Sequence, residues 1–212
     1  HVEESTGVVL ETEIKRAQAY GDVYTAESLK KEFKGFTYKG ASADSVTIDT
    51  DVNEITLYYE RNSYEYTVNY LEEGRKDKVL APSKNGVALY GATVTENAIV
   101  IDNFVLTSSS TNSIVIDTEN NVINFYYTIN NYGYTVNYLE EGTDKVLAAA
   151  KTDEAVFEES VTENAITING YTLVDDESKT IKIDIENNVI NFYYAADSFG
   201  GGEDGDEGDG TP

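Results

Sequence analysis

The nine residues YTVNYLEEG occur twice without change, at residues 66–74 and again at 134–142. A repeated unit fixes the architecture and the number of times any site can recur, so it constrains this chain more than any single motif. The match runs through whole units. KVLAPSKNGVALYGATVTENAIVIDNFVL from Lys78 corresponds to KVLAAAKTDEAVFEESVTENAITINGYTLV from Lys145, and both copies close on ENNVINFYY, ending at Tyr127 and Tyr194. A more divergent copy precedes them: SVTIDTDVNEITLYY (residues 45–59) matches SIVIDTENNVINFYY (residues 113–127). HVEESTGVVLE from His1 lies without a gap on YLEEGTDKVLA from Tyr138, so the chain is expected to begin inside a unit, at the end of a first strand.

Within a unit the hydrophobic period changes in a fixed order. Tyr66, Val68 and Tyr70 alternate with Thr67 and Asn69, the period of two of a half-buried strand. The polar segment with Gly74 reads as a hairpin connection into a short strand over residues 78–81. Thr93-Val-Thr-Glu96 and Ser160-Val-Thr-Glu163 have the S/T-x-x-E form of a capping box, which predicts a helix start. That helix is expected to be short and to end near Gly35, Asn103 and Gly170, residues that tolerate a left-handed C-terminus. Two more strands follow, one through Ile114 and Ile116, the other through Ile123, Phe125 and Tyr127. The order strand, strand, short helix, strand, strand predicts an α+β, strand-rich fold. It consists of tandem ubiquitin-like (β-grasp) modules, each a mixed sheet with one short helix on one face.

Composition narrows the function. The 212 residues carry 39 acids against 15 basic residues, a net charge of -24, which repels nucleic acid and anionic lipid. Six of those acids lie from Asp197 onward; without them about -18 remains, so the repulsion belongs to the folded body too. Cysteine is absent, which removes disulfides, thiolate nucleophiles and cysteine-type zinc sites. No apolar run approaches the roughly 18 residues of a membrane span.

The spacing Y-x-V-x-Y-x-x-x-G, K-V-L-A, Y-G-x-x-V-T-E, G-Y and V-I-N-F-Y-Y resembles the MucBP (mucin-binding protein) repeats of Gram-positive surface proteins. The resemblance covers residues 66–127 and 134–194 well and 1–59 more loosely. It departs at Glu158, which stands where Gly21 and Gly91 occur, and at Asn103, which stands where Gly35 and Gly170 occur. It implies an extracellular protein on the cell surface or cell wall of a Gram-positive bacterium, adhering to a host glycoprotein or glycan of mucin type. The chain would be a monomeric rod, part of a longer chain, with no nucleic acid partner, no direct membrane contact and no cofactor. The expected division is a divergent repeat at 1–60, repeats at 64–128 and 132–195, and an acidic Gly-rich linker at 196–212. The linker's DGDEGDG lacks the twelve-residue loop with a terminal bidentate glutamate that calcium ligation needs, and no metal site is expected.

The candidate site follows from strand alternation. If Ile123, Phe125 and Tyr127 face the covering layer, Asn124 and Tyr126 face away, beside Thr67 and Asn69 of the neighbouring first strand. The third copy repeats this with Thr135, Asn137, Asn191 and Tyr193, and the first keeps Thr56 and Tyr58. Such a surface offers ring faces for sugar C–H groups and amides for hydroxyls, although the same residues also suit a solvated sheet face. No catalysis is expected. The pairs Glu72-Glu73 and Glu140-Glu141 sit in a predicted exposed turn, and His1, the only histidine, is expected to lie at a truncated end where no Ser-His or Cys-His relay can be assembled. Lys78 and Lys145, with Asn124 and Asn191, could form isopeptide cross-links but read better as surface residues. Adhesion and a non-binding stalk that projects another domain from the wall both remain open.

Overall fold

The computed structural model describes residues 1–198. The first copy contributes β1 (Val2–Glu3), β2 (Val23–Thr25), α1 (Ala26–Leu29), β3 (Phe36–Ala41), β4 (Ser45–Thr47) and β5 (Leu57–Arg61). The second contributes β6 (Ser63–Glu72), β7 (Arg75–Leu89), β8 (Thr93–Asn97), β9 (Phe104–Leu106), β10 (Thr111–Val115) and β11 (Val122–Ile129). The third has β12 (Asn131–Glu140), β13 (Val146–Val156), β14 (Ser160–Asn164), β15 (Tyr171–Leu173), β16 (Ser178–Lys182) and β17 (Val189–Ala196). The chain divides into two compact units, His1–Thr128 and the remainder from Ile129. The expected linker lies, from Phe199 onward, outside the described residues.

The second and third copies repeat one plan. A four-stranded sheet has the order β7-β6-β11-β9, and its counterpart β13-β12-β17-β15. First and last strands are parallel neighbours in the sheet interior, whereas the second strand pairs antiparallel with the first. The alternation seen in the sequence decides which face is dry. Val68, Tyr70, Ile123, Phe125 and Tyr127 form one buried cluster, and Tyr134, Val136, Tyr138, Ile183, Ile190, Phe192 and Tyr194 the other. Each such burial contributes about 1.5–3 kcal/mol. Tyr70 stacks on Phe125 and Tyr138 on Phe192, with ring centroids 6.1 and 6.2 Å apart.

The expected helix is absent from the second and third copies among the described residues. Thr93–Asn97 and Ser160–Asn164 are strands, paired antiparallel with β10 and β16 to make two-stranded ribbons. Ile114 of one ribbon, and Val161 and Ile181 of the other, pack on the sheet core where the helix was expected. The residues T-V-T-E-N alternate as well as they cap. With Val94 and Glu96 turned inward, the glutamate bonds across the module instead of reaching back to a helix start. Only the first copy has a helix, a single turn capped reciprocally by Thr25 and Ser28.

The segments after the ribbons' first strands are irregular, and tyrosine hydroxyls satisfy their backbone. Tyr127 donates to the Ile99 carbonyl at 2.9 Å and Tyr194 to that of Ile166 at 2.8 Å. In the first copy Tyr59 does the same for Lys31 at 3.0 Å. The residues expected to end the helices do adopt left-handed conformations: Gly35, Asn103 and Gly170 have φ of 78°, 64° and 78°. The second strands are longer than the sequence indicates, since β7 runs to Leu89 and not to Ala81. As sheet edges they carry polar residues on both faces, which mimics a loop.

The word ENN closes the turn before each last strand by burying its second asparagine. Asn121 donates to the Asp117 and Glu65 carbonyls at 2.8 and 3.1 Å, and its side-chain oxygen accepts from Asp117 N–H. Asn188 repeats this on Asp184 and Gly133. Each turn is thereby tied to the first strand of its own module. Within the first unit, the second copy's Tyr90 packs directly on Gly35 of the first. A Cβ on Gly35 would collide with the Tyr90 ring.

Candidate functional site

The eight expected residues lie on the solvent faces of the two large sheets, each half-buried. Register places Asn69 opposite Asn124 and Thr67 opposite Val122, whereas Tyr126 stands opposite Leu71. In the third copy Asn137 is opposite Asn191, Thr135 opposite Val189 and Tyr193 opposite Leu139. The structure thus brings the asparagines together in pairs and sets each tyrosine beside a leucine, not beside a threonine.

Asn69 donates to Asn124 Oδ1 at 3.0 Å, and Asn137 to Asn191 Oδ1 at 2.9 Å. A primary amide has two N–H donors and two lone pairs, so one shared bond orients both amides without exhausting them. Two residues that the sequence reading missed extend the row in the second copy. Ser83 donates to Asn69 Oδ1 at 2.8 Å, and Thr67 donates to Asn85 Oδ1 at 3.0 Å. Their signal was hidden because β7 was expected to stop two residues earlier than Ser83.

The third copy differs around its tyrosine. The Lys179 ammonium lies 5.9 Å from the Tyr193 ring centroid and 2.7 Å from Asp175, which also accepts from Tyr193 N–H. At this distance the cation is attracted by the ring's electron-rich face. Burial pushes the Asp175 carboxyl up, but its bonds to Lys179 and to Tyr193 N–H together hold it below its usual range. Asn191, Tyr193, Lys179 and Val189 border a shallow surface depression. In the second copy Ser108 takes the place of Asp175, donating no charge, and accepts from Tyr126 N–H at 3.1 Å.

The other chemically suggestive residues are structural. Glu72 pairs with Lys78 and Arg75, and Glu140 accepts from Thr143 at 2.8 Å. Their counterpart Glu3 is buried and accepts from Thr6 and Arg61, both at 2.6 Å. The Thr6 hydroxyl, then Arg61, hold its carboxyl below the usual range against the cost of burial. Each first acid of the pair closes its own turn. Lys145 donates to the Tyr171 hydroxyl at 3.1 Å, while Asn191 bonds to Asn137, so neither is directed at a mutual cross-link.

Glu96 and Glu163 each accept from a tyrosine and a lysine. Glu96 accepts from Tyr66 at 2.9 Å and Lys84 at 2.7 Å; Glu163 accepts from Tyr134 at 2.7 Å and Lys151 at 2.6 Å. The lysine, and then the tyrosine, hold each carboxyl below its usual range. The hydrogen bond to Glu163, followed by burial, pushes the Tyr134 hydroxyl up to about 12. These groups fasten the ribbon to the first two strands on the covered side, away from the asparagine row.

A cavity of about 180 Å³ in the first copy is bordered by His1, Tyr24, Leu29, Val46 and Leu57, and by none of the eight site residues. Among the described residues no group of three or more His, Cys, Asp or Glu side chains could hold a metal ion. No helix there is long and apolar enough to cross a membrane.

Recurrent strand-rich modules with a polar sheet face define a tandem-repeat protein. The chain belongs to the MucBP family, whose domain model matches residues 1–60, 66–128 and 135–195. Solved structures similar to it include the Bacillus anthracis TIE protein, at 13% identity and a TM-score of 0.42 over 72% of this chain and 38% of that one. The type 2 repeat of the mucus binding protein MUB from Lactobacillus reuteri matches at 11% identity and a TM-score of 0.24, over 63% of this chain and 99% of that one. The chain therefore spans well under half the length of the TIE chain. No curated protein gave a significant match.

Proposed function

We propose that this chain is an extracellular adhesion segment whose second and third copies bind mucin-type glycoprotein or glycan, weakly per copy and usefully through repetition. The supporting observation is the duplicated outward row: Asn69, Asn124 and Tyr126 in one sheet, Asn137, Asn191 and Tyr193 in the other. A directed pair of amides supplies donors and acceptors for hydroxyls, and the adjoining tyrosine supplies an apolar ring face for sugar C–H groups. Thr67 and Thr135 complete the expected sites. Linked weak sites gain avidity without new contacts. The modules are assigned to 1–60, 64–128 and 132–195, with 196–212 as a linker, in a monomeric protein held at a Gram-positive cell wall. No catalysis is assigned.

The test is retention of the whole chain on a mucin and glycan array, compared with the Tyr126→Ala/Tyr193→Ala variant. The adhesion reading requires retention that falls in the variant while its circular dichroism is unchanged. Absence of retention across the array leaves the alternative, a stalk that carries another domain away from the wall. The parallel pairing of first and last strands, which opposes extension along the chain, is what a stalk requires and is compatible with both readings.

A further inference from the structure

We infer that the second and third copies are built to carry tension along the chain, each through a shear clamp formed by its first and last strands. In the second copy the chain enters through β6 and leaves through β11. These strands are parallel and in register over six pairs, from Thr67 with Val122 to Glu72 with Tyr127. Tension on the two ends pulls β6 backward and β11 forward along their common axis. The evenly spaced ladder bonds of a parallel pair are then loaded together, not one after another. In the third copy β12 and β17 repeat the arrangement over six pairs, from Thr135 with Val189 to Glu140 with Tyr194.

Several contacts lengthen and shield the clamp. Backbone bonds continue it at both ends, from Thr67 N–H to the Asn121 carbonyl and from Glu73 N–H to the Tyr127 carbonyl, at 2.9 and 2.8 Å. The third copy has the same two bonds, from Thr135 to Asn188 and from Glu141 to Tyr194, each 2.9 Å. The Asn69–Asn124 and Asn137–Asn191 bonds add a side-chain rung on the wet face. Both clamp strands are interior strands of their sheets, so water cannot reach the ladder from an edge. Their dry faces carry Val68, Phe125, Val136 and Phe192, all fully buried. The clamp is independent of whether the outward faces bind a ligand.

Single-molecule force spectroscopy on the whole chain tests this by changing the pulling direction. The chain has no cysteine, so attachment points can be placed at will. In one geometry the handles are at the chain ends. In the other, exposed Glu73→Cys and Thr128→Cys, kept reduced until maleimide handles are attached, load the same end of β6 and β11 and peel them apart. Unfolding of a clamped copy from the ends should release about 200 Å of chain, from roughly 60 residues at 3.3–3.6 Å each. At equal loading rate the end-to-end rupture force should exceed the peeling force by roughly twofold or more, since ladder bonds yield together in one case and singly in the other. Circular dichroism confirms that the cysteine variant is folded. Equal rupture forces in the two geometries would overturn the clamp, as would release of the clamped copies from the ends at the peeling force.

Discussion

The substitution Glu163→Gln separates two accounts of the S/T-x-x-E word. In a capping box glutamine serves as well as glutamate, so the change would be nearly neutral. In the structure Glu163 is the charged partner of Lys151 at 2.6 Å and accepts from Tyr134 at 2.7 Å, with its side chain 12% exposed. Glutamine can still accept from the tyrosine but loses the ion pair, so the third copy should lose about 1–2 kcal/mol. Urea unfolding at pH 7 gives the total change, and amide exchange at Val136 and Tyr138 assigns it to the third copy. The pH dependence supplies a second readout. The Glu163 carboxyl is held below its ordinary value by Lys151 and then Tyr134, so the folded state binds this proton less readily than the unfolded chain. Its stabilisation is complete above that value and is lost as pH falls through the depressed one. The wild type should therefore lose stability on acidification more steeply than Glu163→Gln. A variant as stable as wild type at pH 7, with the same acid limb, would refute the assignment of Glu163 to this cross-module pair.

Other substitutions probe the turns. Glu158 holds φ of 66° where Gly21 and Gly91 hold 86° and 75°, so Glu158→Gly should stabilise the third copy by about 0.5–1 kcal/mol, read as an increase in thermal midpoint. Loss of its exposed bridge to Lys182 offsets only part of this. Asn188→Ala strands the Gly133 and Asp184 backbone groups and should cost about 2–3 kcal/mol by urea unfolding, a cost that a merely solvated turn residue would not show.

Period-two alternation made the sheet legible in the sequence: Val68, Tyr70, Ile123, Phe125 and Tyr127 are all buried, and their neighbours Asn69, Asn124 and Tyr126 all face outward. The covering layer was not legible. Thr93-Val-Thr-Glu96 satisfies a capping pattern and a strand pattern equally, and the choice is made by Tyr66 and Lys84, which are distant in sequence. An edge strand such as β7 gave no alternation because neither face of its outer half is buried, so Ser83 and Asn85 were missed from the outward row. The pairing of asparagine with asparagine required the register of two strands more than fifty residues apart, which composition does not encode.

The proposed binding faces are tested most directly by titrating a mucin-type O-glycan into the isotopically labelled chain and following side-chain amide resonances by NMR. Binding at these faces should shift the amide signals of Asn69, Asn124, Asn137 and Asn191 together, and the Tyr126→Ala/Tyr193→Ala variant should require higher glycan concentration for the same shift. No shift at these four amides, or shifts confined to other parts of the chain, would contradict the assignment.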